Sequence, residues 1–177
     1  MTNIEAIVAV DKNYGLAKNG QIPWKSKTDM NFFKQKTINN VVVMGSRTLL
    51  SLPKSAPLKD RLNIILTNKY LNEKKSDQIN DNLLYFNELE LLAFLKTPKK
   101  YIHEDQYKYL YKDYTIFIIG GKQIYDLLCN LCSTIWITKI KADYKCDLIF
   151  SKDILDSFPV CNTEVEDDEL EIIKLTN

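Results

Sequence analysis

A single histidine, His103, is all the imidazole the chain carries, and the four cysteines, Cys129, Cys132, Cys146 and Cys161, include one C-x-x-C pair whose spacing does not recur. A closed zinc site would need all four thiolates, two of them isolated in sequence, so ordinary reduced thiols and no metal are expected. An excess of charge of either sign is missing too. Lys and Arg number 24 against 23 Asp and Glu, a net charge of +1, which gives bulk electrostatics no grip on a nucleic acid or an acidic membrane. Any anion site must therefore be local. No apolar run approaches the roughly 18 residues that span a bilayer, and Met1 to Glu5 lacks the basic start and long apolar stretch of a secretory signal. A soluble, cytoplasmic protein is the expectation. There is no internal repeat and no G-x-G-x-x-G.

What is present is a core. With 177 residues, 45% of them hydrophobic, the chain suits one domain over 1–177, with an extended segment at about 96–114. Apolar, β-branched runs at Ile4–Val10, Val41–Met44, Leu62–Leu66, Leu83–Phe86, Thr115–Ile119 and Ile135–Thr138 read as buried strands. Helical patterns follow several of them, including one over Glu88–Leu95 capped by Asn87. Phe158–Val165 and Leu170–Leu175 read as a closing antiparallel pair. The succession predicts an α/β fold: a central, mainly parallel twisted sheet with an antiparallel C-terminal edge and helices on both faces. Lys96 to Tyr114, with five tyrosines among lysines and acids, reads as a partly amphipathic surface helix, with an RNA-stacking face as the alternative.

Chemistry concentrates in two places. The stretch from Ile22 to Phe33 sets one acid, Asp29, among apolar side chains just after a Pro23-Trp24 corner. Ser26 and Asp29 match the S-x-x-D start of a helix, which places Asp29 and Phe33 on one face with Met30 beside them. An acid there either serves the free first-turn amides or holds a flat, nitrogen-rich ligand. The second place is the set of strand ends: Gly45-Ser46-Arg47-Thr48, Thr67-Asn68-Lys69 and Gly120-Gly121. In a parallel sheet these fall along one crevice and suggest a long phosphate-bearing cofactor laid across it. Arg61 stands at the mouth of a strand, as a solvated charge or as a fork for a carboxylate.

Taken in order, Ile7-Val8-Ala9-Val10, Gly15 to Trp24, Asp29 with Phe33, Met44-Gly45-x-x-Thr48, Pro57-Leu58-x-x-Arg61, Ile119-Gly120-Gly121-x-x-Ile124-Tyr125 and Thr138 resemble the dihydrofolate reductase family over most of the chain up to Phe150. The resemblance implies NADPH-dependent reduction of 7,8-dihydrofolate to tetrahydrofolate by a monomer, with hydride to C6 and a proton to N5, and antifolates as inhibitors. It implies Asp29, Trp24, Ile22 and Thr138 as the catalytic set. The substrate would meet Ile7, Val8, Ala9, Asp29, Met30, Phe33, Leu58, Arg61, Ile119 and Thr138. The cofactor would meet Ala9, Leu16, Gly20, Ile22, Gly45, Ser46, Arg47, Thr48, Thr67, Asn68, Lys69, Ile119, Gly120, Gly121, Lys122, Gln123, Ile124 and Tyr125, with Leu16 to Ile22 as a lid loop. Ser46 stands where the family usually has a base, and Asn68 where it often has Ser or Arg. Arg47, Thr67 and Lys69 are then left to neutralise the 2′-phosphate that separates NADPH from NADH. Cys146 falls in a loop usually filled by Gly or Ser. The alternatives are a related pyrimidine reductase of riboflavin synthesis and a non-catalytic RNA- or partner-binding module on the same scaffold.

Overall fold

The computed structural model describes residues 2–68 and 81–177. Ten strands are found among them: β1 (Asn3–Val10), β2 (Gly15–Ala17), β3 (Val41–Gly45), β4 (Leu62–Leu66), β5 (Leu83–Phe86), β6 (Thr115–Gly120), β7 (Thr134–Ile140), β8 (Leu148–Ile149), β9 (Val160–Glu166) and β10 (Leu170–Thr176). Four α-helices join them: α1 (Lys27–Thr37), α2 (Ser46–Ser51), α3 (Glu88–Lys96) and α4 (Lys122–Leu128). One sheet runs β5-β4-β3-β6-β1-β7-β10-β9. Every pair from β5 to β7 is parallel, while β10 lies antiparallel to both β7 and β9, as the strand and helix pattern predicts.

The sheet is apolar on both faces because its central strands are. Val41 to Met44 are wholly buried, and alternate residues feed two separate cores. One contains Ala6, Val8, Ile64, Phe94, Ile118, Ile124 and Leu128, under α3 and α4. The other contains Ile7, Val42, Met44, Leu49, Ile65, Phe117 and Trp136, with Phe32, Phe33 and Leu52 packed on it from α1 and the α2 end. Period-two alternation thus places helices on both faces. β9 is different: all seven of its residues are exposed, and it forms the sheet edge.

Helix starts follow local chemistry. Ser26 accepts the Asp29 amide at 3.1 Å. Asn87 accepts the Glu90 amide at 2.8 Å while the Glu90 carboxylate accepts the Asn87 amide at 3.0 Å, a reciprocal capping box.

Two expectations need correction. The segment 96–114 is not a helix. Thr97 has φ −140°, Pro98 opens a single 3₁₀ turn, and turns continue from there to β6. Its tyrosines also do not form a stacking face. Tyr107 is buried, Tyr109 and Tyr114 are half-buried against the core, and Asn39 pins the segment by donating to the Tyr109 carbonyl (2.6 Å) and accepting the Tyr111 amide (2.9 Å). The stretch after Gly15 is likewise more than a loop. Gly15–Ala17 pairs with Leu148–Ile149 as a two-stranded ribbon, and the exposed tip closes on itself through Lys18 and Gln21. Lys69 lies outside the described residues.

Asn63 is a polar residue fully buried in the middle of β4. Its side-chain amide donates to the carbonyls of Leu58 (2.9 Å), Arg61 (2.9 Å) and Asn82 (3.2 Å), and its oxygen accepts the Leu58 amide at 2.9 Å. These bonds hold the Pro57–Arg61 loop against the sheet. Asn63→Ala strands buried carbonyls, so a loss of about 1–3 kcal/mol is expected, read as a lower urea midpoint with an unchanged slope.

Candidate functional site

The carboxyl ends of β3, β4 and β6 lie side by side, because the strand order there is β4-β3-β6. Two short helices start from this row, α2 after Gly45 and α4 after Gly121, and neither has a side-chain cap. The contrast with α1 and α3, which cap themselves with Ser26 and Asn87, is physical. The first amides of α2 and α4 have no side-chain acceptor, and an anion would supply one. Gly121 faces Thr48: a methyl group added at Gly121 would sit 3.6 Å from the Thr48 hydroxyl. Gly120 adopts φ +111°, a conformation L side chains rarely take, and an added Cβ would lie 3.0 Å from the Tyr125 hydroxyl. The Gly120–Gly121 peptide is cis.

Asp29 enters from the first turn of α1. Its residue surface is half-buried, and burial pushes its carboxyl above the usual range, opposed by a hydrogen bond from the Thr138 side chain of β7. Thr138 is itself buried and lies opposite Ala9 in the β1–β7 ladder. Tyr125, buried in α4, donates to the Ile7 carbonyl at 2.8 Å. Its phenol is raised well above the ordinary value by burial first, then by Cys129 and by the charge of Asp29. The Tyr125 hydroxyl thus lies beside Gly120, and it is close enough to Asp29 to feel that charge.

Around this pair the predicted residues fall in distinct roles. Ile22 and Met30 are large apolar side chains left 62% and 64% exposed, surface a ligand would cover. Phe33 and Leu58 are half-buried and pack on the same core as Ile119 and Leu52. Leu52 was not singled out in the sequence, although the i+3 spacing from Leu49 would have marked it. Arg61 is not a solvated charge. It is buried, with Nε donating to the Lys59 carbonyl (2.9 Å) and Nη1 to the Thr37 hydroxyl (3.1 Å), which itself donates to the Phe33 carbonyl (2.8 Å). α1 thereby aims the guanidinium. Ser46 and Arg47 are exposed at the α2 start, Asn68 is exposed after β4, and Thr67 is buried. Leu16 turns its side chain into the core, so only its backbone faces the lid. The Lys122 ammonium is held by Ser151 (2.6 Å) and Asp126 (3.5 Å), which leaves its amide for an anion. Gly20, at the exposed tip, has φ +76°. Among the described residues no cluster of metal-ligating side chains is found, and no helix is long and apolar enough to cross a membrane.

The family model for dihydrofolate reductase matches residues 3–176. A Drosophila melanogaster dihydrofolate reductase is 33% identical over 168 residues, 89% of this chain and 84% of that protein. A protein of Mycoplasmoides gallisepticum named segregation and condensation protein A is 34% identical over 164 residues, 93% of this chain; the chain spans only 24% of that protein's length. Among solved structures, a dihydrofolate reductase from Enterococcus faecalis complexed with NADP(H) and RAB-propyl has the same fold, with a TM-score of 0.73 at 23% identity, covering 98% of this chain and 95% of that one.

The raised carboxyl of Asp29 has a signed consequence. Between the ordinary carboxylate pKa of about 3.9 and its higher folded value the native state binds more protons than the unfolded state, so stability falls as pH rises through that window. Above it the fold carries an ionised, poorly solvated acid. Asp29→Asn should therefore be more stable than the parent at pH 7, by about 0.5–2 kcal/mol, and no more stable near pH 3, as read from thermal melts at the two values.

Proposed function

The chain belongs to the dihydrofolate reductase family, and from that premise we propose that it reduces 7,8-dihydrofolate to 5,6,7,8-tetrahydrofolate with NADPH, so serving one-carbon metabolism and thymidylate synthesis. The reading rests on a half-buried acid beside the Thr138 hydroxyl, together with two uncapped helix starts and a double glycine at neighbouring strand ends, which we take to bound one cleft.

The residues at the β3 and β6 ends fit a dinucleotide. The amides of Ser46 to Thr48 and of Gly121 to Gln123, with the Thr48 hydroxyl, would hold its pyrophosphate, and Arg47 and Thr67 its 2′-phosphate. NADPH, when bound, supplies the hydride taken up at C6. The protein's part is placement and proton control. Ionised Asp29 accepts from the 2-amino group and N3 of the pterin, which offsets the cost of its own burial and favours protonation at N5. Thr138 fixes the carboxylate's orientation, and Trp24, 6% exposed, keeps bulk water off that end of the ring. The Ile7 carbonyl already accepts from Tyr125 and retains a second lone pair for the pterin, with the Ile119 carbonyl on the other side. Met30, Phe33, Leu52 and Leu58 close the walls. Ala9, Ile22 and the Gly20 tip lie toward the nicotinamide. Arg61, aimed by Thr37, suits the α-carboxylate of a glutamate tail, which favours a folate over a pyrimidine intermediate.

Every contact in this scheme comes from one chain, so a monomer suffices, and flat diaminated heterocycles should compete for Asp29. All four cysteines are free, in keeping with a reducing cytoplasm. The direct test is reduced-nicotinamide absorbance followed with NADPH or NADH, with and without dihydrofolate. NADPH oxidation strictly dependent on dihydrofolate is expected.

Two variants divide the roles. Asp29→Asn should lose about 100- to 1,000-fold in turnover near neutral pH and regain part of it in acid, where solvent protonates the substrate; an unchanged rate at pH 7 removes Asp29 from the chemistry. Arg61→Lys loses the planar fork, so KM for dihydrofolate should rise about 10- to 100-fold while kcat changes little.

A further inference from the structure

Among the described residues, Asp11 is the most deeply buried acid that the scheme above does not use, at 1% exposure, just beyond β1. Its Oδ1 accepts the amides of Asn13 (2.9 Å) and Gly15 (2.8 Å), and its Oδ2 accepts the amide of Tyr144 at 3.0 Å. The Cys146 thiol lies close enough to favour its charged form as well. One carboxylate therefore ties the start of the lid to the β7–β8 connection, more than 120 residues later in the chain. The fit is tight. A methyl group at Gly15 would fall 2.4 Å from the Cys146 Cβ and 2.9 Å from the Asp11 carboxylate, so position 15 must be bare.

Burial works against ionisation of Asp11, yet the amides of Tyr144, Gly15 and Asn13 and the Cys146 thiol together hold its carboxyl below the usual range. The same acid, after burial, pushes the Cys146 thiol up to about 11, which keeps it protonated as a donor. A charge so well satisfied is a fixed point in the fold.

What it fixes leads to the cleft. The ring of Tyr144 packs on Trp24 with centroids 5.6 Å apart. Trp24 is otherwise packed with Ile140, Leu170 and Ile172, and together with Tyr144 it lines an open pocket of about 380 Å³. From the same loop Asp147 accepts the Asn19 amide at 3.0 Å, and the Asp147 amide donates to Ala17 at 3.1 Å, so the lid tip hangs on a segment whose position Asp11 sets.

We infer that Asp11 is a positioning residue for the reaction: it locks the first residues of the lid to the Tyr144 loop and, through Tyr144, seats Trp24 at the corner that leads into α1. The inference rests on the reductase reading for its kinetic consequence, but not for its geometric one. Asn at this position keeps the shape while turning an N–H toward an amide donor, so it breaks the lock with little change in volume.

The test compares Asp11→Asn, Tyr144→Ala, their double variant and Leu91→Val, a change on the buried face of α3 that serves as the stability control. Single-turnover NADPH oxidation at saturating dihydrofolate is normalised to folded protein, and Trp24 emission is recorded in a Trp136→Phe background. Asp11→Asn and Tyr144→Ala should each lose about 10-fold or more in rate, the double variant no more than the worse single, and Leu91→Val nothing despite a lower Tm. Parental turnover per folded molecule in Asp11→Asn, or losses that multiply in the double variant, would overturn the proposal. If the parent itself shows no dihydrofolate-dependent oxidation, the reductase reading fails and emission decides alone. A shift in Trp24 emission on Asp11→Asn, absent on Leu91→Val, supports the lock, and an unshifted spectrum rejects it.

Discussion

A carboxylate kept partly out of water is the constraint on which the cleft depends. The Asp29 carboxylate draws a hydrogen bond from Thr138, and that bond does not make up for the water it has lost. The fold tolerates this because the acid sits on the first turn of α1, where the helix start favours negative charge, and because β7 brings a hydroxyl rather than a methyl to meet it. An acid in this condition interacts more strongly with a donor pair from a ligand than a hydrated one would. The sheet supplies the rest. The β1–β7 register sets Thr138 opposite Ala9, and the order β3-β6-β1 sets the double glycine on the neighbouring strand end.

The helices obey a division of labour that follows from their starts. α1 and α3 satisfy their own first turns with Ser26 and Asn87, so they need nothing from outside. α2 and α4 start at glycine and leave that work undone, on the side of the sheet where Thr48 and Gly121 approach each other. Omitting a cap costs stability in the free protein and creates affinity for a phosphate. The same trade recurs at Gly120, whose backbone lies too near Tyr125 to carry a side chain.

How much of this was legible in the sequence depended on range. Local signals held: the Ser26 cap, the Asn87 cap, the apolar strands and the strand ends at Gly45 and Gly120 can all be read within a few residues. Long-range pairings could not. Nothing near Gly15 announces Leu148 and Ile149 as its partners. Arg61 looked like a surface charge because only the fold brings Thr37 to it. Lys96 to Tyr114 looked helical because its lysines and acids mix as on an exposed helix, while Pro98 and the pull of the core on Tyr107 decided otherwise. Asn63 did carry a signal, as the one polar residue inside an apolar run, but its meaning lay in carbonyls supplied by a loop.

The fully exposed edge strand has a consequence for how the molecule comes apart. β9 contributes almost no apolar burial and is held mainly by its ladder to β10, whose Leu170, Ile172 and Leu175 are anchored in the cores. Its amides should therefore exchange with solvent deuterium through local fraying well before those of β10 or β7, while the strands beneath Asp29 and the double glycine stay closed. With Glu164 and Glu166 in its sequence, a frayed β9 is also a poor template for another chain, so this edge is guarded against association by its own charge.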